Sequence, residues 1–152
     1  MIKKNLLIIF GFIIFFNTSC GYTPLNKNIS LQEIIISEKD LLGNKRLSKK
    51  TFDKLNFIEK KVADGYKIII DTNKKNEELS KDSSGNITQY RTTITITVTL
   101  VKNEQIIKSQ AFTNSFNYSN LSNKFELSNY QKTVDNNIMN TIVRDIRVFL
   151  SI

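Results

Sequence analysis

The side chain best placed to do chemistry in this 152-residue chain is its only cysteine, Cys20. It closes a short leader in which Lys3 and Lys4 form a positive head and Leu6 to Phe16 an apolar run broken only by Gly11. The small residues Thr18 and Ser19 stand just before the cysteine. That is the layout of a cleaved export signal, and the run is short for a spanning helix, which needs roughly 20 apolar residues. A cysteine directly after such a leader reads as a lipoprotein acceptor: the sulfur takes an S-diacylglycerol, the leader is cut, and Cys20 becomes the N-acylated first residue. An uncleaved anchor, or a cysteine that merely follows a secretory leader, stays open as the alternative. Three residues before the cysteine, where bacterial lipoprotein leaders usually carry Leu, stands Asn17.

Other chemistry is narrowed by absences. The sequence contains no histidine, so no imidazole base and no Ser-His-Asp triad can be assembled. With Cys20 acylated, thiolate catalysis and disulfides go as well, and no glycine-rich phosphate loop or calcium-loop spacing is present. A carboxylate pair could still act on a glycoside, yet none of Glu77, Glu78, Asp82 or Glu126 stands out as such a pair. The expectation is a protein that is not an enzyme and holds no metal or cofactor beyond the acyl groups on Cys20.

Around the cysteine, the chain divides into a signal peptide (1–19), a lipidated tether with the only proline (20–28), and one domain (29–152). Cleavage removes two of the 22 basic residues and none of the 14 acidic ones, so the formal net charge falls from +8 to +6. An anionic partner fits that balance. Nucleic acid does not suit an exported, lipid-anchored chain without a basic stacking motif. A lysine-rich surface that is merely soluble remains the plain reading.

The elements follow from periodicity. Ile29 to Ser37 reads as a first strand. Gly43 and Asn44 punctuate, and Leu47, Thr51, Leu55, Ile58 and Val62 trace a helical stripe over about 46–63, with Gly65 as its left-handed stop and Lys49, Lys50, Lys54, Lys60 and Lys61 on the remaining surface. A second strand starts at Tyr66–Asp71, and Thr72–Leu79 reads equally as ragged strand or loop. Asp82 to Asn86 is a turn. Arg91–Leu100 alternates strictly, with Ile94, Ile96, Val98 and Leu100 on one face and Thr93, Thr95, Thr97 and Thr99 on the other. Lys102–Gln105 turns into a fourth strand over Ile106–Tyr118, giving a three-strand meander. After a polar loop (120–127), Ser128 and Gln131 have capping-box spacing. They open a helix whose stripe is Val134, Ile138, Ile142, Ile146 and Phe149, with Asp135 off the stripe. The order β-α-β-β-β-α implies an α/β (α+β) two-layer sandwich, a sheet of about four strands against two helices, with an exposed threonine ladder.

Several segments in this order resemble the lipopolysaccharide-transport lipoprotein family LptE. They are Cys20–Leu25, Gly85–Tyr90 leading into the Ile94–Leu100 strand, Phe112–Phe116, and Asn129–Gln131 at the last helix. The resemblance implies an outer-membrane lipoprotein seated as plug and assembly factor inside a large β-barrel of the LptD type, helping to deliver lipopolysaccharide to the cell surface. Gly21, in place of the aspartate that usually signals inner-membrane retention, agrees with that destination. Family members bind lipopolysaccharide through basic residues near the sheet hairpin and before the last helix. No lysine here matches those places residue for residue, so Lys81, Arg91 and Lys124, which lie nearby, are the candidates. The alternative is a free-standing periplasmic lipoprotein that binds anionic lipid or cell-wall polymer, since fold alone does not choose a function.

Overall fold

The computed structural model describes residues 34–151; the leader, Cys20 and the tether lie outside them. The elements are β1 (Ile35–Gly43), α1 (Lys45–Leu55), β2 (Ile58–Glu59), β3 (Tyr66–Lys81), β4 (Ile87–Lys102), β5 (Gln105–Ser119) and α2 (Lys124–Ser151). They form one five-stranded sheet in the order β2-β1-β3-β4-β5. Strand β1 runs parallel to β2 and β3, and β3-β4-β5 is an antiparallel meander. The two-layer α/β architecture is as the periodicity implies, with one strand more.

The meander is where pattern and structure agree best. On β4, Ile94, Ile96, Val98 and Leu100 are buried, and the intervening threonines are only half-covered. Both helices lie on the apolar side. Leu47, Phe52 and Leu55 of α1 and Val134, Ile138, Met139, Ile142 and Ile146 of α2 close one core over Ile68, Ile70, Ile94 and Ile96. Each fully buried aliphatic side chain contributes about 1.5–3 kcal/mol by leaving water. At the edge of the core, Phe149 meets Phe112 edge-on, centroids 5.6 Å apart.

Local chemistry explains the boundaries the periodicity misplaces. The first strand begins at Ile35 and runs to Gly43 instead of ending at Ser37; residues 29–33 of the expected strand lie outside the described residues. Gly43 takes φ +63°, and a Cβ there would stand 2.3 Å from the Thr72 carbonyl oxygen of β3. Only glycine turns β1 into α1 at that approach. Asn44 then caps the helix: its side chain accepts from Leu47 N at 3.2 Å and its carbonyl from Ser48 N at 2.9 Å.

Helix α1 stops at Leu55, not at about 63, because Asn56 adopts the left-handed conformation (φ 57°) and its N–H bonds back to Phe52 O. Phe57 tucks under to pack on Phe52, and Ile58 enters the sheet beside Ile35. Gly65 is therefore no helix cap. A Cβ on it would lie 2.7 Å from the Ser37 Cβ, so it permits close passage of the chain beside β1.

At the other end, α2 opens at Lys124. The Asn123 side chain accepts from Phe125 N and Glu126 N at 2.9 and 3.3 Å. The segment expected as a loop to Leu127 is thus partly helix, and Ser128 lies inside it, where a capping box has no free donors to satisfy. The ambiguous stretch after Asp71 is strand throughout, paired to β4 as far as Lys81.

Candidate functional site

Because both helices cover one face, the opposite face of the sheet carries no layer among the described residues. The register sets its rows: Lys75-Thr93-Ser115, Asn73-Thr95-Thr113, Leu42-Asp71-Thr97-Ala111 and Asp40-Ile69-Thr99-Ser109. Hydroxyls are paired across strands, Thr95 with Thr113 at 2.9 Å and Thr99 with Ser109 at 2.8 Å. Such pairs hold side chains upright on the pleat while leaving lone pairs for an incoming polar surface. Leu42, 47% exposed, is a large apolar side chain on this face, and at its β5 edge Ile106, paired with Val101, is 67% exposed.

Apart from Asp71 in the middle rows, charge on this face gathers toward its two ends. At one end Lys67 reaches both Asp40 and Glu38, at 2.8 and 2.9 Å. These carboxylates, Asp40 first, hold its ammonium above the ordinary lysine value. At the other end Lys75 meets Glu77 at 2.7 Å and holds that carboxyl below the ordinary glutamate value, with a smaller contribution from Arg91. Between these ends the surface is mostly hydroxyl and amide, with Leu42, Ile69 and Ala111 among them and one exposed carboxylate, Asp71, beside Thr97.

The three candidate basic residues fall at the hairpin end. Lys81 closes β3 opposite Ile87 and meets Glu78 at 3.2 Å. Arg91 lies on the open face, its Nε donating to Asn117 Oδ1 at 2.9 Å. Lys124 is the first residue of α2, and the chain reaches it through Asn120, whose N–H and side-chain amide donate to Thr88 O and Ile87 O, both at 2.8 Å. The three thus share one end of the sheet but no mutual contact. Between them the turn is fastened by Asp82, whose Oδ1 accepts from Ser84 N and Asn86 N at 2.9 Å; bonds from Asn86 pull its carboxyl below the ordinary aspartate value. The acids considered for glycoside chemistry are dispersed. Strand alternation puts Glu77 and Glu78 on opposite faces, each bonded to a lysine, Asp82 fastens the turn, and Glu126 is in the first turn of α2.

One functional-type feature escaped the sequence reading. Asp135, expected on the solvent side of α2, is 6% exposed, with its carboxylate 2.7 Å from the Lys74 ammonium on the covered face of β3. The polar position is drawn inward because Lys74 interrupts the apolar parity of β3 after Thr72 and needs a counter-charge beneath the helix. No described helix is long and apolar enough to cross a membrane.

No family model matches the chain, and no curated protein does. Solved structures do. The rare lipoprotein B from Shewanella oneidensis superposes with a TM-score of 0.55 at 12% identity, over 76% of this chain and 95% of that one. A minor lipoprotein from Acinetobacter baumannii gives 0.57 at 13% identity, over 76% and 90%. A lipoprotein B from Nitrosomonas europaea gives 0.51 at 14% identity, over 79% and 89%. At these identities the likeness is one of fold, and it spans nearly the full length of each neighbour.

Proposed function

We propose that the chain is a non-enzymatic outer-membrane lipoprotein, anchored through acyl groups on Cys20, whose domain seats in the lumen of a large LptD-like β-barrel and assists lipopolysaccharide delivery. The observation that carries this reading is the sheet's uncovered face: a hydroxyl-paired surface on a domain whose fold is shared with lipoproteins. Large barrels have lumens too wide for their own side chains to fill, and the walls of such lumens are polar. A threonine and serine face can exchange hydrogen bonds with such a wall, with Asp71 accepting from donors of the wall. A single acyl chain binds a bilayer reversibly, and a second contact makes the attachment durable; here the barrel is that contact. Lys81, Arg91 and Lys124, at the end of the sheet where the β3–β4 turn projects, are the residues proposed to meet phosphates of lipopolysaccharide.

The test is affinity purification of a C-terminally tagged chain from detergent-solubilised outer membranes, with intact mass on each component. A stoichiometric large barrel is expected, together with a Cys20-acylated chain. A clean monomer carrying only its lipid would overturn the plug reading in favour of a free-standing lipoprotein.

A further inference from the structure

The other side of the molecule carries a basic seam that the plug reading does not use. Arg46, Lys50 and Lys54 stand four residues apart on α1 and so share one face of it, a like-charge row that destabilises an isolated helix. The first turn of α1 contains no acid, so Arg46 there also opposes the helix dipole. Across the seam, α2 answers with amides and more cations. Lys50 donates to Asn136 Oδ1, Lys54 to Asn140 Oδ1 at 2.8 Å, and Arg147 to the Lys54 carbonyl. Among the described residues, none of Arg46, Lys50, Lys54, Lys132 or Arg147 lies within ion-pair distance of an acid, although nine such pairs occur elsewhere in the fold.

The seam opens into a cleft of about 230 Å³ between the start of α1 and the third and fourth turns of α2, walled by Arg46, Lys50, Lys132 and Asn136. Asp135 also lines it but is held by Lys74, so Arg46, Lys50 and Lys132 have no ion-pair partner there. Cations gathered against mutual repulsion, with the one acid of the cleft, Asp135, already paired to Lys74, break local rules without a gain in stability; such departures mark functional positions.

We propose that this cleft binds a phosphate group, with Arg46 and Lys132 on its rim, Lys50 below and the Asn136 amide nitrogen as a neutral donor. Arg offers a planar fork and Lys a point charge, and a tetrahedral oxyanion with several acceptor oxygens can satisfy both at once. The phosphate is either the headgroup of a membrane lipid or part of a soluble phosphoester. The inference is independent of the barrel, because the cleft lies on the helix side of the sheet.

The test is a 1H–15N NMR titration of the full chain, purified in neutral detergent, with inorganic phosphate at constant ionic strength, and then with micelles doped with phosphatidylglycerol. Saturable shifts at Arg46, Lys50, Lys132 and Asn136 are expected with one or both probes. Phosphate alone assigns a soluble group, and doped micelles alone assign a lipid headgroup. Losing two charge-assisted contacts in R46Q/K132Q should weaken binding by at least about tenfold, whereas K60Q/K61Q, which removes the same charge from an exposed segment, should change it less than about twofold. Asn136→Asp, which adds a carboxylate to the cleft wall, should produce the same loss in a chain with an unchanged melting temperature. Non-saturable shifts spread over the surface, or equal losses in the two double variants, would overturn the site.

Discussion

Truncating Asp135 to alanine strands a lysine beneath α2, and the cost can be worked from the structure. Both carboxylate oxygens lie 2.7 Å from the Lys74 ammonium, and the two side chains are 18% and 8% exposed. Removing one partner of a fully buried pair costs about 3–5 kcal/mol, chiefly because the remaining charge is left uncompensated. Lys74 keeps some access to water and a flexible stem that can carry its ammonium outward, which brings the expected loss for Asp135→Ala to about 2–3 kcal/mol. For a domain of this size that is a fall in melting temperature of about 8–12 °C. Lys74→Met combined with Asp135→Leu replaces the pair by apolar groups of similar length and should recover the loss to within about 1 kcal/mol of the parent. Urea and thermal unfolding of the full chain and the two variants measure both numbers. A loss under about 1 kcal/mol for Asp135→Ala, or a double variant no more stable than that single one, would refute the argument that the pair is a buried counter-charge.

Three further outcomes follow from single positions. Gly43→Ala forces a Cβ into the Thr72 carbonyl at a positive φ, so unfolding experiments should show a loss above about 2 kcal/mol. The β4–β5 turn holds Asn103 and Glu104 at φ 50° and 62°, and Glu104→Gly should raise stability by about 0.5–1 kcal/mol in the same experiments, because that two-residue turn favours Asn-Gly. Asp82 has a carboxyl pulled below its ordinary value, so its contribution is present above that value and is lost as pH falls through the lowered one. Hydrogen exchange at Ser84 and Asn86 should therefore gain an acid-dependent opening that Asp82→Ala removes.

How much of this was legible in the sequence depended on whether a signal was local. Strict alternation from Arg91 to Leu100 fixes a strand and both its faces, because a one-residue slip would expose every isoleucine. The stripe from Val134 to Ile146 likewise finds its core. The helix end at Leu55 was hidden because Ile58 and Val62 continue the helical spacing by chance, while the signal that stops it, Asn56 in a left-handed conformation, is a minority use of asparagine. The true cap of α2, Asn123, stood five residues before a more regular-looking box at Ser128. Pairings across long separations were out of reach. Nothing near Asp135 announces Lys74, 61 residues away. The row Arg46, Lys50 and Lys54 looks like solvated decoration until α2 brings Lys132 and Asn136 beside it. Lys81, Arg91 and Lys124 were gathered by resemblance, and the fold sets them at one end of the sheet in separate contacts. Cys20 stands outside the described residues.

The lipid-binding half of the proposal is tested by charge reversal at Lys81 and Lys124 together. A salt-controlled lipopolysaccharide titration should show weaker binding, and unchanged binding removes both residues from the site.

The central claim, that the open sheet face meets a barrel wall, is tested most directly by a photo-crosslinking amino acid at Thr97, the middle of that face. Irradiation of intact cells should yield an adduct whose added mass is that of an outer-membrane β-barrel protein. A chain that fractionates with the outer membrane yet gives no protein adduct from Thr97 would contradict the account.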